Sequence, residues 1–92
     1  MPKRRSRVGI LYDILEALES GPMNLTNLMY KSNLPYDRFR EIIDDMKRNG
    51  LIVEKDEEGG KKVYYITKKG MEALNELRNA KKVLKSFGID LE

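Results

Sequence analysis

Between residues 35 and 70 the apolar residues change period once, and that change limits what the chain can fold into more than any other feature. Phe39, Ile42, Ile43 and Met46 recur at i, i+3, i+4 and i+7, which is one face of an α-helix. Pro35 suits the first helical position, where a fixed φ and a missing N–H do no harm. Asn49-Gly50 reads as the C-terminal stop. Two β-rich runs follow, Leu51-Ile52-Val53-Glu54 and Val63-Tyr64-Tyr65-Ile66, and each has strand composition. The polar stretch 55–62 between them is predicted to be a hairpin loop, with Gly59-Gly60 supplying the positive φ of a tight turn. Thr67 is placed to cap a further helix.

The segment before this is helical too. Ser6 can cap a helix whose stripe is Val8, Leu11, Ile14, Leu15 and Leu18, ended by Gly21-Pro22. Asn24 or Thr26 can cap a short helix carrying Leu25, Leu28 and Met29. Asn33-Leu34-Pro35 is a turn, because Asn tolerates the left-handed region and Pro disfavours a helical Leu34. A short helix, a tight turn and a longer helix make a helix-turn-helix. With the hairpin behind it, the fold class is α+β: a winged helix-turn-helix of three helices and a two-stranded wing. The predicted core is Leu11, Ile14, Leu15, Leu28, Phe39, Ile42, Ile43, Met46, Leu51 and Ile66. Tyr64 and Tyr65 face opposite sides of their strand, so one is core and the other exposed.

Residues 68–87 then form a helix of about 30 Å, longer than such a domain needs. Met71 and Leu74 can finish the core. Leu77, Ala80, Leu84, Phe87 and Leu91 recur at alternating spacings of three and four, the a/d pattern of a coiled coil. This stripe either pairs with a second copy or folds back on the first helix, whose own stripe the hairpin and the longer helix already require. The chain therefore divides into a basic arm (1–7), a winged helix-turn-helix domain (8–70) and a dimerisation helix with a short tail (68–92).

Charge says more by its placement than by its sum of +3. Lys3, Arg4, Arg5 and Arg7 crowd the arm, whereas residues 8–67 carry eight basic and eleven acidic side chains. Basic arms follow phosphates or reach into a groove, and a solvated terminus is the bland alternative. In a helix-turn-helix the second helix normally enters the DNA major groove. The candidate DNA contacts are thus Lys3, Arg4, Arg5 and Arg7 in the arm. In helix 35–49 they are Tyr36, Arg38, Arg40 and Lys47, with Tyr36 expected to be partly buried. In the wing they are Lys55, Lys61 and Lys62. The exposed face of that helix is otherwise acidic: Asp37, Glu41 and Asp44 lie opposite the apolar stripe with Arg48. They read as a solvated face with Asp44–Arg48 as an i,i+4 pair. A winged helix used as a protein–protein interaction module, without DNA, is the alternative that this acidity favours.

Catalysis finds no support. The chain has no His and no Cys, so the usual neutral-pH base, the commonest metal ligand and disulfides are all missing. It has no Gly-rich phosphate loop and no nucleophile motif. Asp44 and Asp45 sit about 100° apart on the helix and do not converge on a metal. No cofactor and no small-molecule ligand can be read. No apolar run approaches the ~18 residues of a membrane span, so a cytoplasmic, nucleoid-associated protein is expected.

Four stretches also carry a family resemblance. They are Tyr12-Asp13-Ile14-Leu15, then Thr26 with Tyr30-Lys31-Ser32-Asn33-Leu34-Pro35-Tyr36, then Asn49-Gly50-Leu51-Ile52, and Tyr65-Ile66-Thr67-Lys68-Lys69-Gly70. Together they resemble the small archaeal winged-helix DNA-binding proteins of about ten kilodaltons, the ten-a class of chromatin proteins. The resemblance spans nearly the whole chain. It implies double-stranded DNA as partner, a role in transcription regulation or chromatin architecture, and a homodimer held by an antiparallel coiled coil of the C-terminal helices. Leu77, Ala80, Leu84 and Phe87 are the dimerisation candidates.

Overall fold

The computed structural model describes residues 6–90. Its elements are α1 (Arg7–Glu19), β1 (Met23–Asn24), α2 (Leu25–Ser32), α3 (Tyr36–Arg48), β2 (Ile52–Glu57), β3 (Lys61–Ile66) and α4 (Lys68–Ser86). The caps fall where the sequence places them. The Ser6 hydroxyl accepts from the Gly9 N–H at 3.0 Å and the Asn24 side chain from the Asn27 N–H at 2.9 Å. Asn33 closes α2 in the left-handed region at φ 54°. Phe39, Ile42, Ile43 and Met46 of α3 are all buried.

Three local expectations change. In α1 the buried residues are Ile10, Ile14, Leu15 and Leu18, while Val8 is 42% exposed and Leu11 only partly covered. Val8 and Leu11 line an open groove of about 250 Å³ toward Ile42, Met46 and Leu51, so the inward face of α1 is centred on Ile14. Leu51 and Ile66 are likewise half-buried and packed against the core. The sheet has three strands, in the order β1-β3-β2. Its extra strand is Met23–Asn24, which pairs with Tyr64 and Val63. The wing strands also run further than expected, with only Glu58–Gly60 as the tip. Their polar ends pair across the ladder, Asp56 opposite Lys62 and Glu57 opposite Lys61. Opposite charges in register support strand where composition suggests loop.

Tyr64, not Tyr65, is the core tyrosine, fully buried with Ile52 and Leu74. α4 is fixed to the domain at its first turn. The Thr67 side chain accepts from the Gly70 N–H and donates to the Gly50 carbonyl at 2.6 Å. A Cβ at Gly70 would collide with the Leu51 carbonyl oxygen, so only glycine lets the helix pass this close to the β2 entry. Helix-turn-helix, wing and long last helix together make a winged helix-turn-helix.

Candidate nucleic-acid interface

The acidic face of α3 is largely neutralised by cations. Arg7, the first residue of α1 rather than part of an extended arm, donates to Glu41 at 3.3 Å and pairs with Asp45. Arg48 also reaches Asp45, and Arg40 pairs with Asp44 at 3.5 Å. The Asp44–Arg48 pair expected from spacing is therefore replaced by Arg40–Asp44 and Asp45–Arg48. Asp44 is taken from the N-terminal side by an arginine that β3 already holds. Among the described residues Asp37 has no ion pair, and it sits in the first turn of α3, where a carboxylate suits the helix dipole. Arg38 beside it is exposed and has no ion pair among the described residues.

A second cluster joins α3 to the wing. Glu54 lies directly across the ladder from Tyr64, and its carboxylate accepts from the Tyr64 hydroxyl at 2.7 Å. Lys47 from α3 approaches the same oxygen at 3.3 Å, and Lys62 from β3 approaches the other at 3.4 Å and Asp56 at 3.1 Å. The Tyr64 oxygen in turn accepts from Arg40 at 3.3 Å. Burial pushes the Tyr64 phenol up to about 12, with the Glu54 carboxylate adding to it. The Tyr64 hydroxyl, helped by Lys47 and Lys62, holds the Glu54 carboxyl below its ordinary value against the effect of burial. Three of the predicted cations, Arg40, Lys47 and Lys62, are thus brought together around Glu54 and Tyr64, neither of which is among the candidate contacts. The signal was the cross-strand register, which places Glu54 opposite Tyr64 once the tip is known to be three residues long.

The other candidates are more scattered. Lys55 stacks 4.9 Å over the Tyr65 ring, and Tyr65 donates to Glu57 at 2.6 Å. Lys61 is exposed on the opposing strand. Tyr36, expected to be partly buried, is 53% exposed and outside the core cluster, because Phe39 alone fills the inward position of that turn. Tyr30 is 78% exposed and borders an open groove with Met29, Asn33, Leu34 and Pro35. It was not among the candidates, although its place off the Leu25/Leu28/Met29 stripe marks it as outward. Lys3, Arg4, Arg5 and Leu91 lie outside the described residues.

The last helix splits in two. Leu77 packs against the core. Arg78 makes a bidentate bond to Glu19 of α1 at 2.6 and 2.9 Å, and Lys81 stacks 4.1 Å over the Tyr12 ring. This part of α4 does fold onto α1. Off that contact Ala80 and Leu84 are half-covered, while Val83, Phe87 and Ile89 are 49%, 75% and 51% exposed. Among the described residues no group of three or more acidic side chains is placed to hold a metal, and no helix is long and apolar enough to cross a membrane.

Comparison with known proteins adds to this geometry. The profile of the winged helix-turn-helix family matches residues 4–85. Protein MJ0287 of Methanocaldococcus jannaschii is 33% identical over 66 residues, covering 66% of this chain and 68% of the relative. Among solved structures, Sso10a-2, a DNA-binding protein from Sulfolobus solfataricus, is similar with a TM-score of 0.77 and 23% identity, over 91% of this chain and 85% of that one. The protein smu.1704 from Streptococcus mutans is similar with a TM-score of 0.82 and 20% identity, over 92% and 87%. The archaeal winged-helix resemblance carried by the four sequence stretches agrees with these matches.

Proposed function

From the chain's membership of the winged helix-turn-helix family, we propose that it is a dimeric DNA-binding protein, a transcription regulator or an architectural chromatin protein of the nucleoid. Helix α3 enters the major groove. The wing lysines and the arm residues Lys3, Arg4 and Arg5 follow the flanking phosphates, and α4 joins two copies through Ala80, Leu84 and Phe87. The single observation that carries the reading is the N-terminal turn of α3. There Arg38 has no ion pair among the described residues and Tyr36 is exposed, and the exposed Tyr30 of α2 borders a groove with Pro35 at the start of the helix. This is the end of a recognition helix that reaches base edges, and tyrosine hydroxyls serve phosphate oxygens. The ion pairs of Arg7 support the reading, since they screen Glu41 and Asp45 from an incoming phosphate. The described structure of Sso10a-2 as a DNA-binding protein of the same fold supports it too.

The competing module that binds protein alone draws on Asp37 and Glu41, which remain exposed on α3. Fluorescence anisotropy on duplex DNA at several salt concentrations separates the two. Phosphate-driven binding weakens steeply and linearly on a log–log plot. No binding even at low salt rules out the DNA reading.

A further inference from the structure

The junction of α3 with the wing presents three cations and leaves none of them free. Lys47 has Glu54 as its partner, Lys62 has Glu54 and Asp56, and Arg40 has Asp44 and the Tyr64 hydroxyl that Glu54 holds. Three carboxylates thus balance three cations. Glu54 lies deepest, with its side chain 16% exposed against 30% for Lys47 and 48% for Lys62. Its position follows from the ladder, directly opposite Tyr64. Lys47 comes down onto it from α3, and Arg40, seven residues earlier on the same helical face, comes down onto the Tyr64 hydroxyl. A phosphate can approach the two ammonium groups from the solvent side while the carboxylate holds them from below.

We propose that Glu54 is a built-in brake on DNA affinity, storing Lys47 and Lys62 on a protein carboxylate that a backbone phosphate must displace. The proposal rests on the DNA-binding reading given above and names the residue that tunes it. The reason is ionic. A phosphate that meets a free lysine sheds its condensed counterion, and that release drives binding at low salt. A phosphate that takes a lysine from Glu54 sheds a counterion too, but the abandoned carboxylate recruits one, so the net release is close to zero. The carboxylate also repels the phosphate it faces. Both effects lower affinity and flatten its salt dependence without touching any base-reading residue.

Glu54→Gln keeps the shape and the acceptor for Tyr64 while removing the charge. Duplex DNA affinity at low salt should rise about tenfold, as expected for one unit charge removed at contact range. The slope of log affinity against log salt should steepen by about one, for the single carboxylate removed. Lys47→Gln should cost little in the wild type and about tenfold in the Glu54→Gln background, where the lysine is free. Glu54→Asp, which keeps the charge, should stay near wild-type affinity and slope. Unchanged or weaker binding by a Glu54→Gln protein that melts like wild type would overturn the brake, and so would additive Lys47 effects. Wild-type binding at low salt tests the DNA reading separately. If neither protein binds duplex DNA, that reading falls, and inorganic phosphate becomes the probe. The Lys47 and Lys62 ammonium resonances should then shift at lower phosphate concentration in Glu54→Gln than in wild type, and equal midpoints would sink the proposal.

Discussion

Arg7 shows how one side chain can serve a site it does not enter. It begins α1, yet its guanidinium lies on the middle of α3 against Glu41 and Asp45. Half-exposed ion pairs of this kind contribute about 0–1 kcal/mol to stability. Arg7→Ala should therefore lower the stability by less than about 1 kcal/mol, but uncover Glu41 and leave Asp45 to Arg48 alone on the helix proposed to face DNA, and so weaken binding. Melting and anisotropy on the same sample separate the two effects. Neutralising the carboxylates themselves, Glu41→Gln or Asp44→Asn, should leave binding unchanged or improve it. Loss of binding on either change means that the carboxylates read bases. The Glu54–Tyr64 pair makes a pH prediction with two limbs. The Glu54 carboxyl is held below 4.5 in the folded state, so the unfolded chain binds the proton more readily. Its contribution is complete above about pH 4.5 and is lost as pH falls through the folded value. Tyr64 ionises at about 12 when folded against 10.0 when free, so its contribution is complete below pH 10 and is lost as pH rises toward 12. In denaturation midpoints measured across the alkaline range, Tyr64→Phe should show a shallower decline than wild type.

At the scale of elements, α3 was the most legible. Four apolar residues in one stripe, a Pro before and a Gly after leave one orientation, and all four are buried. Phe39→Ala should accordingly cost about 3–5 kcal/mol, read from urea unfolding. A loss below about 1 kcal/mol contradicts this burial. α1 was less legible because Val8, Ile10, Leu11, Ile14, Leu15 and Leu18 surround more than one face, and periodicity cannot choose between Val8 and Ile10 without the neighbours. Residues 55–57 of the wing are less legible, because their charges suggest loop until the partner strand supplies the opposite sign at Lys61 and Lys62. The two-residue β1 leaves no periodic trace at all. For the candidate site, the cations were readable and their partners were not. Arg7 with Asp45, and Lys47 with Glu54, are joined by how α3 crosses its neighbours, and no local pattern encodes that crossing.

At the scale of the whole molecule, a body with more acidic than basic residues between 8 and 67 makes a poor DNA ligand on its own. Two copies on one duplex turn the second contact into an intramolecular one, and in the proposed dimer Ala80, Leu84 and Phe87 join them, with the exposed Val83 and Ile89 beside them. Truncation after Asn79, or Leu84→Asp, should give a folded monomer that binds DNA much more weakly. Sedimentation of the full chain against these variants decides it, and a full-length monomer that still binds tightly at micromolar concentration would falsify the dimer. The seating of Gly70 against Leu51, and the Thr67 bond to Gly50, then acquire a further meaning. A joint with no room for a Cβ has no room to swivel, so α4 leaves each domain at a set angle. Two domains carried on such helices form a ruler rather than a tether. Moving two preferred sites apart by about five base pairs, half a turn of the ~10–10.5 base-pair repeat, would bring them to opposite sides of the duplex. A flexible linker would forgive that change of phase, and this joint should not.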